Sequence, residues 1–264
     1  MSVVWLNGEL MQASAARIDP ADRGFTLGDG LFETIRAAAG EPLHAARHFA
    51  RMRDGAAVLR IPVPYTDAFL TDALRTVLRD NALTDAVLRI TLTRGPSARG
   101  VLPPADPLPT LLISVGALPA APFAARLIVA QRSRRNERSR LSQIKSLNYL
   151  DGIMARQEAF EAGADDALLL NTHGNVAEAT AANVFLFLDG VWVTPPVGDG
   201  ALPGIARALL LESGVAREAT ISRDDLQRAA AGVLTNSLGK RPIARIGAHG
   251  LDAGHGALLG LGVR

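Results

Sequence analysis

The chain has no cysteine and only two lysines, Lys145 and Lys240, among 28 basic residues. The first absence excludes disulfides, thiolate nucleophiles and cysteine metal sites. Long apolar runs are missing too. Runs such as "ALLL" at 167–170 fall well short of the roughly 20 residues that span a bilayer, so no membrane segment is expected. A strong net charge is also lacking: the formal charge is +2, too small to supply a field for nucleic acid or an anionic membrane. The sequence pI of 9.5 does not alter this, because a small arginine excess moves the pI far while hardly changing the charge at pH 7. No two histidines stand at metal-ligand spacing with carboxylates, so no metal is expected. The start, "MSVVWLNGELM", has neither the basic end nor the apolar core of a signal peptide, and the expectation is a cytoplasmic protein.

What is present is a globular composition, 48% hydrophobic and 20% charged, over 264 residues, enough for two lobes that each bury a core. Val3–Leu6 and Glu9–Met11 flank an Asn7-Gly8 turn as a hairpin, and "LFETIRAAAGEPL" repeats the pattern around Gly40. Helical spacing predicts helices over 45–60, from Thr66 or Asp67 to about Asn81, over 147–163, and from Gly204 to Gly214. "AVLRITLTRG", "TLLISVGAL" and "ARLIVAQRS" alternate like half-buried strands, and 165–196 reads as strands with turns at His173-Gly174 and Asp189-Gly190. A Pro-rich stretch places the lobe boundary near residue 120, giving lobes 1–120 and 121–264, and Arg132–Arg140 reads as a solvated loop.

Three features could carry chemistry. Lys145 sits between apolar Ile144 and Ser146 just before a helix, where partial desolvation would favour a neutral amine able to form a Schiff base. Taken alone, a lysine there is ordinarily a stem covering apolar surface. Glu178 in "NVAEATAANVF" stands among small residues that would let a planar ligand approach a carboxylate, which could keep a ring nitrogen protonated; alone it reads as a turn residue. "LPGIARALLLE" puts Gly204, Ile205 and Ala206 at a helix N-terminus suited to a phosphate, and "LTNSLGKRP" offers Thr235, Asn236 and Ser237 after a strand; singly these are caps and turns.

Taken together, "IKSLNYLDGIMARQEAFEAGADDALLLNTHGNVAEATAANVF" closely resembles the signature of the fold type IV pyridoxal-phosphate enzymes, which include branched-chain and D-amino acid aminotransferases and 4-amino-4-deoxychorismate lyase. "DRGFTLGDGLFETIR" at 22–36, "RHFARM" at 47–52, "PGIAR" at 203–207 and "LTNSLGKRPI" at 234–243 follow in the family order. The resemblance implies a mixed α+β and α/β fold with a small N-terminal α+β lobe and a larger, β-rich C-terminal lobe with helices. It implies that Lys145 binds pyridoxal 5′-phosphate covalently and shuttles protons, that Glu178 faces the pyridine nitrogen, and that Arg51 holds the phosphate with Gly204, Ile205, Ala206, Asn236 and Ser237. It also implies a homodimer acting on a small amino substrate.

Within the family, "LTRGPSARGVLPP" looks like the corresponding segment of the lyases, whereas D-amino acid aminotransferases show Arg-x-His there. Here Val101 stands two after Arg99. The expectation is therefore a lyase forming 4-aminobenzoate and pyruvate for folate synthesis, with Arg99 binding a substrate carboxylate and Lys240 or Arg241 suited to a second. The alternative is an aminotransferase acting on D-amino acids, branched-chain amino acids or (R)-amines. The sequence assigns no role to Thr26, Asp29 or Tyr149.

Overall fold

The computed structural model describes residues 2–120 and 123–257. The chain divides into two compact units, Met1–Pro119 with Ile144–Asn148, and Ala120–Gln143 with Tyr149–Arg264. Ile144–Asn148 lies beyond the residue-120 boundary in sequence, yet it packs within the first unit.

The first unit is built on an antiparallel sheet of β1 (Val3–Leu6), β2 (Glu9–Gln12), β3 (Gly30–Ala38), β4 (Glu41–Pro42), β5 (Ala86–Thr93) and β6 (Thr110–Ala117), in the order β2-β1-β6-β5-β3-β4. Asn7 and Gly8 both take positive φ, as a tight hairpin turn that follows strand twist requires. Three helices accompany the sheet: α1 (Arg23–Leu27), α2 (Ala45–Leu59) and α3 (Asp67–Asp80). Thr66 caps α3 by accepting from the Phe69 N–H, and Asn81 closes it while bonding Val3 on β1. Apolar positions of α2 and α3, among them Phe49, Met52, Leu70, Leu74 and Val77, bury against Ile35, Leu88, Ile90, Leu111 and Ile113 of the sheet. Each such fully buried side chain stabilises the unit by about 1.5–3 kcal/mol. Ile144 belongs to the same core.

The second unit holds β7 (Ala125–Arg135), α4 (Leu150–Glu161), β8 (Asp166–Asn171), β9 (Val176–Ala179), β10 (Asn183–Leu188), β11 (Val191–Thr194), α5 (Ile205–Glu212), β12 (Ala216–Glu218), β13 (Ala231–Asn236), β14 (Gly239–Ile246), β15 (His249–Gly250) and α6 (Ala253–Ala257). The strand order is β12-β11-β10-β13-β14-β7-β8-β9, with β15 on β14. Pairings of β7 with β8 and β14, and of β11 with β12, are parallel; the others are antiparallel.

Two local expectations change. The Arg132–Arg140 segment is not one solvated loop: β7 runs to Arg135, where Arg134 and Arg135 pair with Leu170 and Asn171 of β8. Strand pairing, invisible in a local run of arginines, overrides the composition. In α4 the buried positions are Ala155 and Ala159, which let the helix approach Ala130 and Ala167 closely, while Leu150, Ile153, Met154 and Phe160 are exposed. The large apolar residues of this helix are therefore not its core face.

Candidate active site

In the first unit, Ile144–Asn148 lies beside the start of β3. The Phe32 N–H donates to the Lys145 carbonyl (3.0 Å), the Leu147 N–H donates to the Gly30 carbonyl (2.9 Å), and Leu31 bridges Ser146. With Ile144 anchored in the core, the Lys145 side chain emerges half-buried, its Nζ 4.2 Å from the centre of the Phe32 ring. The Arg89 guanidinium lies over the same ring at 3.9 Å. The desolvated setting expected from Ile144 is thus supplied by β3 as well.

Arg51, on α2, is held by the fully buried Glu33 of β3. Nε donates to Oε1 at 2.9 Å and Nη2 to Oε2 at 2.6 Å, a bidentate pair that fixes the guanidinium plane. His48, three residues earlier on the helix, places Nδ1 2.7 Å from Glu33 Oε2. Burial pushes the Glu33 carboxyl up, but bonds from His48 and Arg51 and the Arg51 charge outweigh it and hold the pKa below the ordinary value. For His48 burial is the largest influence, and despite Glu33 its pKa lies below 6.5. The arrangement is an anionic Glu33, a cationic Arg51 and a neutral imidazole whose Nδ1–H donates to the carboxylate.

In the second unit, Glu178 sits on β9, buried, with both oxygens engaged. Oε1 lies 3.1 Å from Nε of Arg135, and Oε2 accepts from the Leu202 N–H at 2.9 Å. Arg135 is itself aimed by the carbonyls of Ser142 (2.8 Å) and Gly200 (3.2 Å). The result is a carboxylate fixed in direction.

Two further segments of this unit carry the residues expected to cradle an anion. Gly204 is the N-cap of α5 and provides no side-chain cap, so the N–H groups of Ile205 and Ala206 begin the helix at its positive end. A Cβ on Gly204 would stand 2.0 Å from Asn183 Oδ1, and the Asn183 amide is fixed by the Leu202 carbonyl (2.9 Å). Asn183 pairs in register with Thr235 of β13, whose Oγ1 is buried and has no hydrogen-bond partner among the described residues. Such an orphaned hydroxyl is the kind of group a ligand oxygen satisfies. The Asn236 side chain is engaged at both ends, Nδ2 with the Ala181 carbonyl (3.3 Å) and Oδ1 with the Leu238 N–H (2.9 Å), so it shapes the turn. Ser237, next in that turn, is half-buried.

Arg99 is exposed on the long connection between β5 and β6. Arg241 donates Nε to the Phe123 carbonyl and brings Nη2 within 3.7 Å of Asp165. Arg135, Glu33, His48 and Phe32 were not singled out from sequence. "FETIR" and "RHFARM" contain three of them, and the pairing of a strand glutamate with a helix His-x-x-Arg is the signal that could have found them. Among the described residues no group of three or more His, Asp and Glu could hold a metal ion, and no helix is long and apolar enough to cross a membrane.

The family model for class IV aminotransferases matches residues 30–246, spanning β3 through β14. The chain belongs to the class IV aminotransferase family. A putative branched-chain-amino-acid aminotransferase of Methanocaldococcus jannaschii is 35% identical over 79% of this chain and 73% of that protein. Among solved structures, 4-amino-4-deoxychorismate lyase from Pseudomonas aeruginosa superposes with a TM-score of 0.82 at 33% identity, covering 95% of this chain and 93% of that one. A branched-chain amino acid aminotransferase of T.th., solved with pyridoxamine 5′-phosphate, gives 0.88 at 26% identity, covering 95% and 87%. The two-unit α/β architecture is accordingly that of the fold type IV enzymes.

Proposed function

We propose that the protein is a pyridoxal-phosphate-dependent lyase that converts 4-amino-4-deoxychorismate to 4-aminobenzoate and pyruvate, serving folate synthesis. The observation that carries the lyase reading is the match to the Pseudomonas lyase over more than nine-tenths of both chains, at higher identity than the aminotransferase solved with pyridoxamine 5′-phosphate. It agrees with Val101, rather than a histidine, two residues after Arg99.

Pyridoxal phosphate supplies an electron sink for the charge left when a proton departs from an amine-bearing carbon. Lys145 would hold the cofactor covalently at rest, and once the substrate amine has displaced it, its freed neutral amine would take the proton from C4 of the substrate. The C–O bond to the side chain then breaks, the side chain leaves as pyruvate after gaining a proton, and the ring becomes aromatic. Glu178, clamped by Arg135 and Leu202, keeps the pyridine nitrogen protonated. Arg51, the N–H groups of Ile205 and Ala206, and Ser237 neutralise the phosphate, with Gly204 leaving room for it; the orphaned Thr235 hydroxyl and the uncapped start of α5 support that placement. Asn236 supports the cradle through the turn it shapes. Arg99 takes a substrate carboxylate.

The second reading, an aminotransferase acting on branched-chain or D-amino acids or on (R)-amines, is favoured by the Methanocaldococcus relative and uses the same cofactor groups. A substrate panel separates the two. Pyruvate release from 4-amino-4-deoxychorismate supports the lyase; its absence, with transamination of L-leucine, D-alanine or (R)-phenylethylamine, supports the alternative. We further infer a cytoplasmic homodimer. The cysteine-free composition suits a reducing compartment, and the exposed apolar side chains of α4 suit a partner subunit.

A further inference from the structure

Asp29 lies in the Gly-rich turn that joins α1 to β3, and one carboxylate there gathers two buried arginines. Its Oδ2 accepts from Arg23 Nε at 2.8 Å and from Arg94 Nε at 2.7 Å, and its Oδ1 accepts from Arg94 Nη2 at 3.1 Å. Neither arginine is left facing solvent; both side chains are 5% exposed. Their remaining donors go to backbone carbonyls, with Arg23 Nη1 also 3.5 Å from the Ser97 hydroxyl. Arg94 holds the end of α2, with Nη1 on Arg60 (3.0 Å) and Nη2 on Leu59 (2.7 Å). Arg23 holds the β5–β6 connection, with Nη1 on Gly100 (2.8 Å) and Nη2 on Val101 (2.9 Å).

Those two carbonyls belong to the residues directly after Arg99. The connection has no regular structure of its own between Thr93 and Thr110, so its course depends on such ties. At its base, Gly95 (φ +85°) passes so close to Leu108 that a Cβ would stand 1.7 Å from the Leu108 carbonyl oxygen, and Asp22 bridges Pro96. Midway, the hold is the Arg23 guanidinium, and Asp29 is what aims that guanidinium. Burial pushes the Asp29 carboxyl up, but the bonds and charges of Arg94 and Arg23 outweigh it and hold its pKa below the ordinary carboxylate value.

We propose that Asp29 is a positioning residue: through Arg23 it fixes the Arg99 loop, and so sets how tightly the enzyme holds a carboxylate-bearing substrate. The proposal rests on the reading of Arg99 as the carboxylate-binding side chain. The chain's own chemistry supplies a probe, because trypsin cleaves after arginine and the Arg99–Gly100 bond lies within the tied segment.

The test uses cofactor-loaded wild type, Asp29→Asn and Arg23→Gln, the last retaining the Asp29–Arg94 pair in case loss of the carboxylate prevents folding. Limited tryptic digestion is followed by mass spectrometry of the fragment beginning at Gly100, with cleavage after Arg138 as the control. Losing charge-assisted bonds to two carbonyls is expected to speed cleavage after Arg99 about ten-fold or more, with cleavage after Arg138 unchanged. The same variants are expected to raise KM for the carboxylate-bearing substrate about ten-fold while kcat stays within about two-fold. Unchanged cleavage after Arg99 in both variants overturns the tie. Faster cleavage with unchanged KM overturns the positioning role, and Arg99→Gln then locates the failure: if it too leaves KM unchanged, the assignment of Arg99 is what failed.

Discussion

Arg135 Nε stands 3.1 Å from one carboxylate oxygen of Glu178 as an ion pair within the second unit, and the Leu202 N–H donates to the other oxygen at 2.9 Å. A carboxylate assigned to a ring nitrogen must be held in one direction, and these two contacts hold it.

Arg135→Gln is therefore expected to lower kcat/KM about 10- to 100-fold, the loss of the positive charge paired with a buried carboxylate, while cofactor content stays near wild type. Arg135→Lys is expected to recover part of it. Steady-state kinetics with cofactor quantified by absorbance checks this, and activity within two-fold of wild type would contradict the role of the clamp.

The Glu33–His48–Arg51 cluster gives a pH signature. The folded pKa of His48 lies below its ordinary 6.5, so between those two values the unfolded chain binds more protons than the folded one. Its contribution is complete above pH 6.5 and is lost as pH falls through the folded value. Glu33, also lowered, adds a loss in the same direction below 4.5. Melting temperature should fall from pH 7 toward pH 5 in the wild type and fall less in His48→Gln; parallel slopes would contradict a buried neutral imidazole. Glu33→Gln, which removes the buried carboxylate charge that engages both Arg51 and His48, is expected to destabilise the protein by about 3–5 kcal/mol in denaturant titrations.

Gly204→Ala tests the phosphate cradle. The new methyl would collide with Asn183 Oδ1, whose amide is fixed by Leu202, so the first turn of α5 must shift. The expected outcome is a rise of about ten-fold or more in the dissociation constant for pyridoxal phosphate with the fold retained. Unchanged affinity would mean that this helix end does not carry the phosphate.

Local chemistry made much of the fold legible. The Asn7-Gly8 turn, the Thr66 cap, the alternation through β5 and β6, and the Gly204–Gly214 limits of α5 are short-range signals, each with its cause inside a few residues. What stayed hidden depends on pairing at a distance. Arg135 reads as one of several arginines in a polar run until β7 is laid beside β8, and Glu33 reads as an ordinary strand residue until α2 brings Arg51 and His48 over it. The five-residue helix α1, capped by Asp22 and closed by Gly28 at φ +68°, looks like a turn because its sequence is too short to show helical periodicity. Of the candidate site, Lys145, Glu178 and Gly204 could be named as chemistry from their own neighbours, but only the family pattern joined them.

The scarcity of lysine makes the most direct measurement unambiguous. Borohydride reduction of the cofactor-loaded protein, followed by tryptic mapping, should place the phosphopyridoxyl group on Lys145 in the peptide Leu141–Arg156. Lys145→Ala should carry none and lose turnover by at least about a thousand-fold. Label on Lys240, or turnover retained without Lys145, would contradict the account.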